Sequence, residues 1–110
     1  MQRGEIFRLK APKDVRGHEQ GGARYGVVLQ ADELLVLSTV IIAPTSTRAQ
    51  PASFRPEVEI AGQQTRVLVE QLGAVDPQLL GDSKGRLGFQ ELREVERALA
   101  AVVGLSGPRF

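Results

Sequence analysis

A chain of 110 residues, 42% of them hydrophobic and 25% charged, has the make-up of one ordinary soluble domain, which buries roughly 60–70% of its unfolded surface around a thin core. The absence of cysteine excludes disulfides, thiolate zinc sites and thiol nucleophiles, and a net charge of +1 does not by itself select a polyanionic partner. The opening MQRGEIFRLK carries charges where a secretory signal would be apolar, and no run nears the ~20 apolar residues of a membrane helix, so a cytoplasmic protein without a membrane partner is expected.

Residues 4–9 (GEIFRL) alternate in polarity and are predicted as a first strand, with Ile6 on the buried face and Phe7 and Leu9 competing for that role. Residues 11–23 hold one proline and three glycines, the composition of a loop, and a loop this long in a compact domain is usually functional or disordered. From Arg8 to Arg24 the cations Arg8, Lys10, Lys13, Arg16 and Arg24 stand against Asp14 and Glu19. This local excess of positive charge can attract an anion, or can simply keep a loop solvated. Residues 25–30 (YGVVLQ) and 38–43 (STVIIA) are continuous apolar runs, the pattern of central strands buried on both faces. Residues 31–37 connect them, and residues 44–56 are a second loop rich in Pro, Ser and Thr.

Residues 57–60 (EVEI) and 64–75 (QTRVLVEQLGAV) are predicted as two strands joined through Ala61, Gly62 and Gln63. The second is long for a strand and is expected to bend near Glu70. Asp76 as N-cap with Pro77 at the first helical position predicts one helical turn, stopped by Gly81. Phe89, Leu92, Val95, Leu99, Val102 and Val103 recur at spacings of three and four, which predicts an amphipathic helix over 89–103. Gly88 with Glu91 three residues on forms a partial capping box, and Gly104 supplies the stop. Phe7 and Phe89 are assigned to the core.

Strands first and a packing helix last describe a mainly β, α+β domain: a small curved barrel or half-barrel with a C-terminal helix, formed by residues 1–110 as one unit. A histidine, an acid and an arginine lie in one loop before a buried strand, and the next strand ends in hydroxyls. That grouping suits chemistry on a phosphodiester. The segments RGEIF, GHEQGGAR, VIIAPTST and LVEQLGAVD, in this order, resemble the MazF/PemK toxins of type II toxin–antitoxin systems, with a likeness running from Arg3 to about Leu105.

The resemblance implies an SH3-like β-barrel of the MazF/PemK/CcdB-like toxin fold. It also implies a homodimer that cuts single-stranded RNA at short sequences without metal or cofactor. The ribose 2′-hydroxyl attacks the adjacent phosphate and leaves a 2′,3′-cyclic phosphate and a 5′-hydroxyl. Such chemistry needs a proton acceptor, a proton donor and groups that stabilise a phosphorane. A cognate antitoxin is the implied protein partner, laying a helix or an acidic tail near the basic loop.

Arg24 matches the family's catalytic arginine, and a guanidinium is a fork of donors that fits two phosphate oxygens at once; the alternative is a surface pair with Glu19 or Asp14. Ser46 matches the family's hydroxyl, more often threonine, and Thr47 is its neighbour and substitute; a turn bonding its own backbone competes with that role. His18 is the single histidine, the side-chain type whose unperturbed pKa gives access to both protonation states that acid–base chemistry needs. PemK-type members carry GHEQ at this place with the histidine in the active site, whereas other MazF members have serine. Glu19 is expected to orient Arg24, to read a base or to take the proton.

For RNA binding, the candidates are Arg16 and Gln20 in the basic loop, Tyr25 and Phe54 as stacking rings, and Arg66, Glu70 and Gln71 on the late strand. Leu68 stands where some members have an arginine, and Arg66 is expected to share its face with Leu68 and Glu70 and to replace that charge. Two rival functions use the same fold: a non-enzymatic toxin that binds and inhibits DNA gyrase, and a catalytically weak module that mainly binds its antitoxin.

Overall fold

The computed structural model describes residues 1–10 and 24–106. The expected loop at 11–23, with Arg16, His18, Glu19 and Gln20, therefore lies outside the described residues. Among the described residues, one seven-stranded sheet and one α-helix make up the fold. The strands are β1 (Glu5–Leu9), β2 (Tyr25–Val28), β3 (Val40–Ser46), β4 (Glu57–Ile60), β5 (Gln63–Val67), β6 (Gly73–Val75) and β7 (Leu80–Arg86), and the helix is α1 (Phe89–Val102). Their order is β4-β5-β3-β2-β1-β7, with β6 also paired to β3, and all pairs are antiparallel.

The two apolar runs are central, as expected. Val27, Val28, Ile42 and Ala43 are all buried, since the sheet is covered on both faces. On one face Ile6, Val27, Ala43, Val58, Val67 and Val69 pack against Val95 and Ala98 of α1. On the other, Val28, Val40 and Ile42 pack with Phe7, Leu9, Val75 and Leu80. Gly26 lets three strands close up there, because a Cβ at this position would lie 2.7 Å from Ile42 Cδ1 and 3.1 Å from Leu9 Cδ2.

The hairpin joining β4 to β5 turns through Ala61 and Gly62, with φ of 52° and 80°. Positive φ at both central positions is the geometry whose twist matches the flanking strands. The long second strand, by contrast, is interrupted. Thr45 pairs with Val67 and Ile42 with Gly73, so three steps along β3 face six steps along the partner chain. The three-residue excess is taken up by a 3-10 turn at Val69–Gln71. This ends the strand alternation before Glu70, so the expected common face of Arg66, Leu68 and Glu70 does not exist; Leu68 is instead buried.

Asp76 caps a single 3-10 turn at Pro77–Leu79, accepting from the Gln78 N–H at 2.8 Å. The chain then forms β7, a strand that the sequence pattern does not announce. Its residues LGDSKGR are mostly exposed because it is an edge strand with no second layer to meet. Its pairing with β1 slips twice, curling the sheet.

Helix α1 ends one residue earlier than expected. Glu91 fastens its start: Oε1 accepts from Gly88 N–H at 3.0 Å, and Oε2 accepts from Glu59 N–H on β4 at 3.0 Å. Phe89 is a correction, since it is 72% exposed rather than buried. As the first residue of the helix it projects past the sheet, and the Arg93 guanidinium stacks on its ring at 5.6 Å. Among the described residues, no helix is long and apolar enough to cross a membrane.

Candidate active site

Register decides which side chains can meet. The β2–β3 ladder ends with Gly26 paired to Pro44; carried two residues further, its register would set Arg24, just before β2, opposite Ser46. Across β2 and β3 the Thr45 hydroxyl donates to the Tyr25 carbonyl at 3.2 Å, and on the other side the Arg24 carbonyl accepts from Leu9 N–H of β1 at 2.8 Å. On the other edge of β3, Ser46 pairs directly with Arg66. On that register Arg24 would join the Ser46–Arg66 pair in one row at the end of the sheet. Residues opposed in an antiparallel sheet point to the same face, with their Cβ atoms roughly 4.5–5.5 Å apart.

The row is open to an incoming anion. Arg24 is exposed, and Ser46 and Arg66 are half-buried. Ser46 Oγ accepts from Arg48 N–H at 3.1 Å, the turn contact that competes with a functional role, but the hydroxyl hydrogen remains able to donate. Arg66 gives Nη1 to the Arg55 carbonyl at 2.8 Å and keeps four further N–H donors in its fork. Such a row would offer a hydroxyl and two guanidiniums, and a guanidinium can bond two oxygens of a phosphate. Thr47 is exposed beyond the end of β3, whereas Ser46 is the last residue of that strand and pairs with Arg66.

Other candidates fall elsewhere. Tyr25 packs against the helix-side core cluster, on the sheet face opposite Arg24 and Ser46. Phe54 is half-buried in the segment 47–56, with the Arg55 guanidinium 5.5 Å from its ring. Gln71 is exposed on the 3-10 turn.

Glu70 is committed within the fold. Its Oε2 accepts from Arg55 Nε at 3.0 Å and Nη2 at 2.7 Å, while Oε1 is buried without a hydrogen-bond partner among the described residues. Burial pushes this carboxyl upward. The Arg55 hydrogen bonds, its own backbone amide, the Arg55 charge and the Gln71 side chain together outweigh that effect and hold it below the ordinary carboxylate range.

Arg55 escaped the sequence reading. Nothing in SFRPE marks it, and its partner is fifteen residues away across a fold-dependent gap. Among the described residues, no three His, Asp or Glu side chains gather as a metal site.

Comparison with known proteins bears on both fold and family. Residues 2–103 match the family model of the PemK-like, MazF-like toxins of type II toxin–antitoxin systems. Rv3098A, a candidate toxin of Mycobacterium tuberculosis, is 41% identical over 104 residues, which is 94% of this chain and 97% of that protein. Among solved structures, a mycobacterial endoribonuclease in complex with its cognate antitoxin superposes with a TM-score of 0.79 at 17% identity, covering 98% of this chain and 99% of that one. MazF from Deinococcus radiodurans superposes with a TM-score of 0.74 at 23% identity, covering 94% and 96%. At these identities the structural matches establish the half-barrel fold.

Proposed function

Because the chain belongs to the PemK-like, MazF-like toxins of type II toxin–antitoxin systems, we propose that it is an endoribonuclease that cuts single-stranded RNA without a metal ion. What supports this reading is the Ser46–Arg66 pair at the end of the sheet, with the exposed Arg24 just before β2, on the register of the β2–β3 ladder. The substrate supplies its own nucleophile: the 2′-oxygen bonds to phosphorus, its proton passes to a base, and the bond to the 5′-oxygen breaks as that oxygen takes up a proton. Arg24 stabilises the charge that builds on the phosphoryl oxygens, and Ser46 donates to one of them. His18 and Glu19, outside the described residues, are the candidates for the two proton transfers. The base is presented along the side carrying Arg66, with Arg16, Gln20 and Phe54 as further RNA contacts.

The partners follow from the same reading. A short antitoxin competes with RNA for this end of the sheet, the protein works in the cytoplasm, and two copies associate through apolar surface. Leu34, Val36 and Leu37, each at least 50% exposed, are the candidates for that contact.

The test incubates the protein with a long single-stranded RNA in EDTA and maps the ends. Wild type is expected to leave cyclic-phosphate and 5′-hydroxyl termini. Arg24→Ala is expected to lose about 10²–10³ in rate, the usual loss when one donor to a transition-state oxyanion is removed. Intact RNA, or equal cutting by both proteins, overturns the assignment.

A further inference from the structure

We propose that Arg55 is a positioning residue for the cleavage reaction, holding the chain that follows Ser46 and the strand beside it in a single arrangement. The proposal rests on the functional reading above, and it concerns a residue that neither touches the scissile linkage nor lies on the Arg24–Ser46–Arg66 row.

Arg55 meets three stretches of chain. Its Nε and Nη2 grip Glu70 Oε2, at the summit of the looped-out 3-10 turn. Its Nη1 donates to the carbonyl of Gln50 at 3.2 Å, only four residues beyond Ser46. Its own carbonyl accepts from Arg66 Nη1 at 2.8 Å, and Arg66 is the cross-strand neighbour of Ser46. Both neighbours of the hydroxyl, one along the chain and one across the sheet, therefore end on the same residue. The three-residue excess that breaks the β5–β6 strand acquires a purpose here, because it lifts Glu70 to meet the guanidinium.

A planar fork suits this task better than an ammonium. Its donors leave in fixed directions, so one side chain satisfies the carboxylate with two N–H groups and a backbone carbonyl with a third. One Glu70 oxygen is held by Arg55, and the other is buried without a hydrogen-bond partner among the described residues. In this arrangement Glu70 anchors Arg55 and does not read RNA.

Arg55→Lys is the informative variant, because the charge beside Glu70 remains while the fork is lost. Cleavage of a short single-stranded RNA is measured for wild type, Arg55→Lys, Ser46→Ala and the double variant, with thermal melts to establish that each is folded. Misplacing a reacting group by about 1 Å can cost on the order of 100-fold in rate, so Arg55→Lys is expected to lower kcat by roughly 10- to 100-fold with KM nearly unchanged. In the Ser46→Ala background the same change is expected to do far less, since the group it positions is gone. Glu70→Gln, which keeps an acceptor but not the charge, is expected to move kcat in the same direction by less.

Unchanged kcat in Arg55→Lys overturns the positioning role and leaves the nuclease reading standing. A fall of equal size with and without Ser46, or one confined to KM, also overturns it, because it signals a general loss of folded protein or a direct RNA contact. No cutting by wild type overturns both proposals.

Discussion

Gly26 lies in β2 between Leu9 of β1 and Ile42 of β3, two residues from Arg24, and replacing it with alanine links packing to the candidate site. The added Cβ would sit 2.7 Å from Ile42 Cδ1 and 3.1 Å from Leu9 Cδ2, where carbon atoms prefer about 3.5–4.0 Å. Ile42 is only 4% exposed, so its side chain has little room to withdraw. Overpacking of this kind costs about 1–3 kcal/mol, and the lost freedom of the unfolded chain returns about 0.4–1 kcal/mol. The expected net loss is therefore about 1–2 kcal/mol, read as a lower urea midpoint. Ile42→Val removes the Cδ1 atom and by itself costs about 0.5–1.5 kcal/mol. If the clash is the cause, the double variant is less destabilised than the sum of the two single changes by about 1 kcal/mol. The same strand displacement shifts Arg24 against Ser46, so Gly26→Ala is also expected to cut RNA more slowly, with partial recovery in the double variant. Strict additivity of the two stability changes would refute the claim that the three strands meet at this glycine.

Two further outcomes are expected. Phe89→Ser should change stability by no more than about 0.5 kcal/mol, the usual range for surface positions; a loss of several kcal/mol would return this ring to the core. Glu70, held below its unfolded-state pKa by Arg55 despite its burial, stabilises the fold above the ordinary glutamate pKa of about 4.3, and that contribution disappears as the pH falls through the folded value. Urea midpoints between pH 7 and pH 3 should thus fall further for wild type than for Glu70→Gln, and parallel curves would dispose of the idea.

Periodicity made the interior of this protein legible before any coordinates. The double-sided burial of β2 and β3, the turn through Ala61 and Gly62 and the inward face of α1 are each written in residues a few positions apart, because local hydrogen bonding and side-chain period set them. The family likeness likewise singled out Arg24 and Ser46, one before each of two strand boundaries. What those motifs lacked was relative placement. Strand order and register come from long-range pairing, and only they bring Ser46 beside Arg66 and set β2, which follows Arg24, on the other edge of β3. Edge strand β7 carries no alternation because it covers no second layer. The apolar run 67–69 hides a break in the strand because Val67, Leu68 and Val69 are all buried whichever way the chain turns.

Arg55 makes the division plainest. Sequence by itself determined that a mainly β domain with one packed helix would form and that a guanidinium and a hydroxyl were available for phosphate chemistry. Tertiary structure alone decided which groups stand next to them, because the Arg55 side chain reaches Gln50 and Glu70 while its backbone carbonyl receives Arg66, the cross-strand partner of Ser46, and no short stretch of sequence contains those contacts.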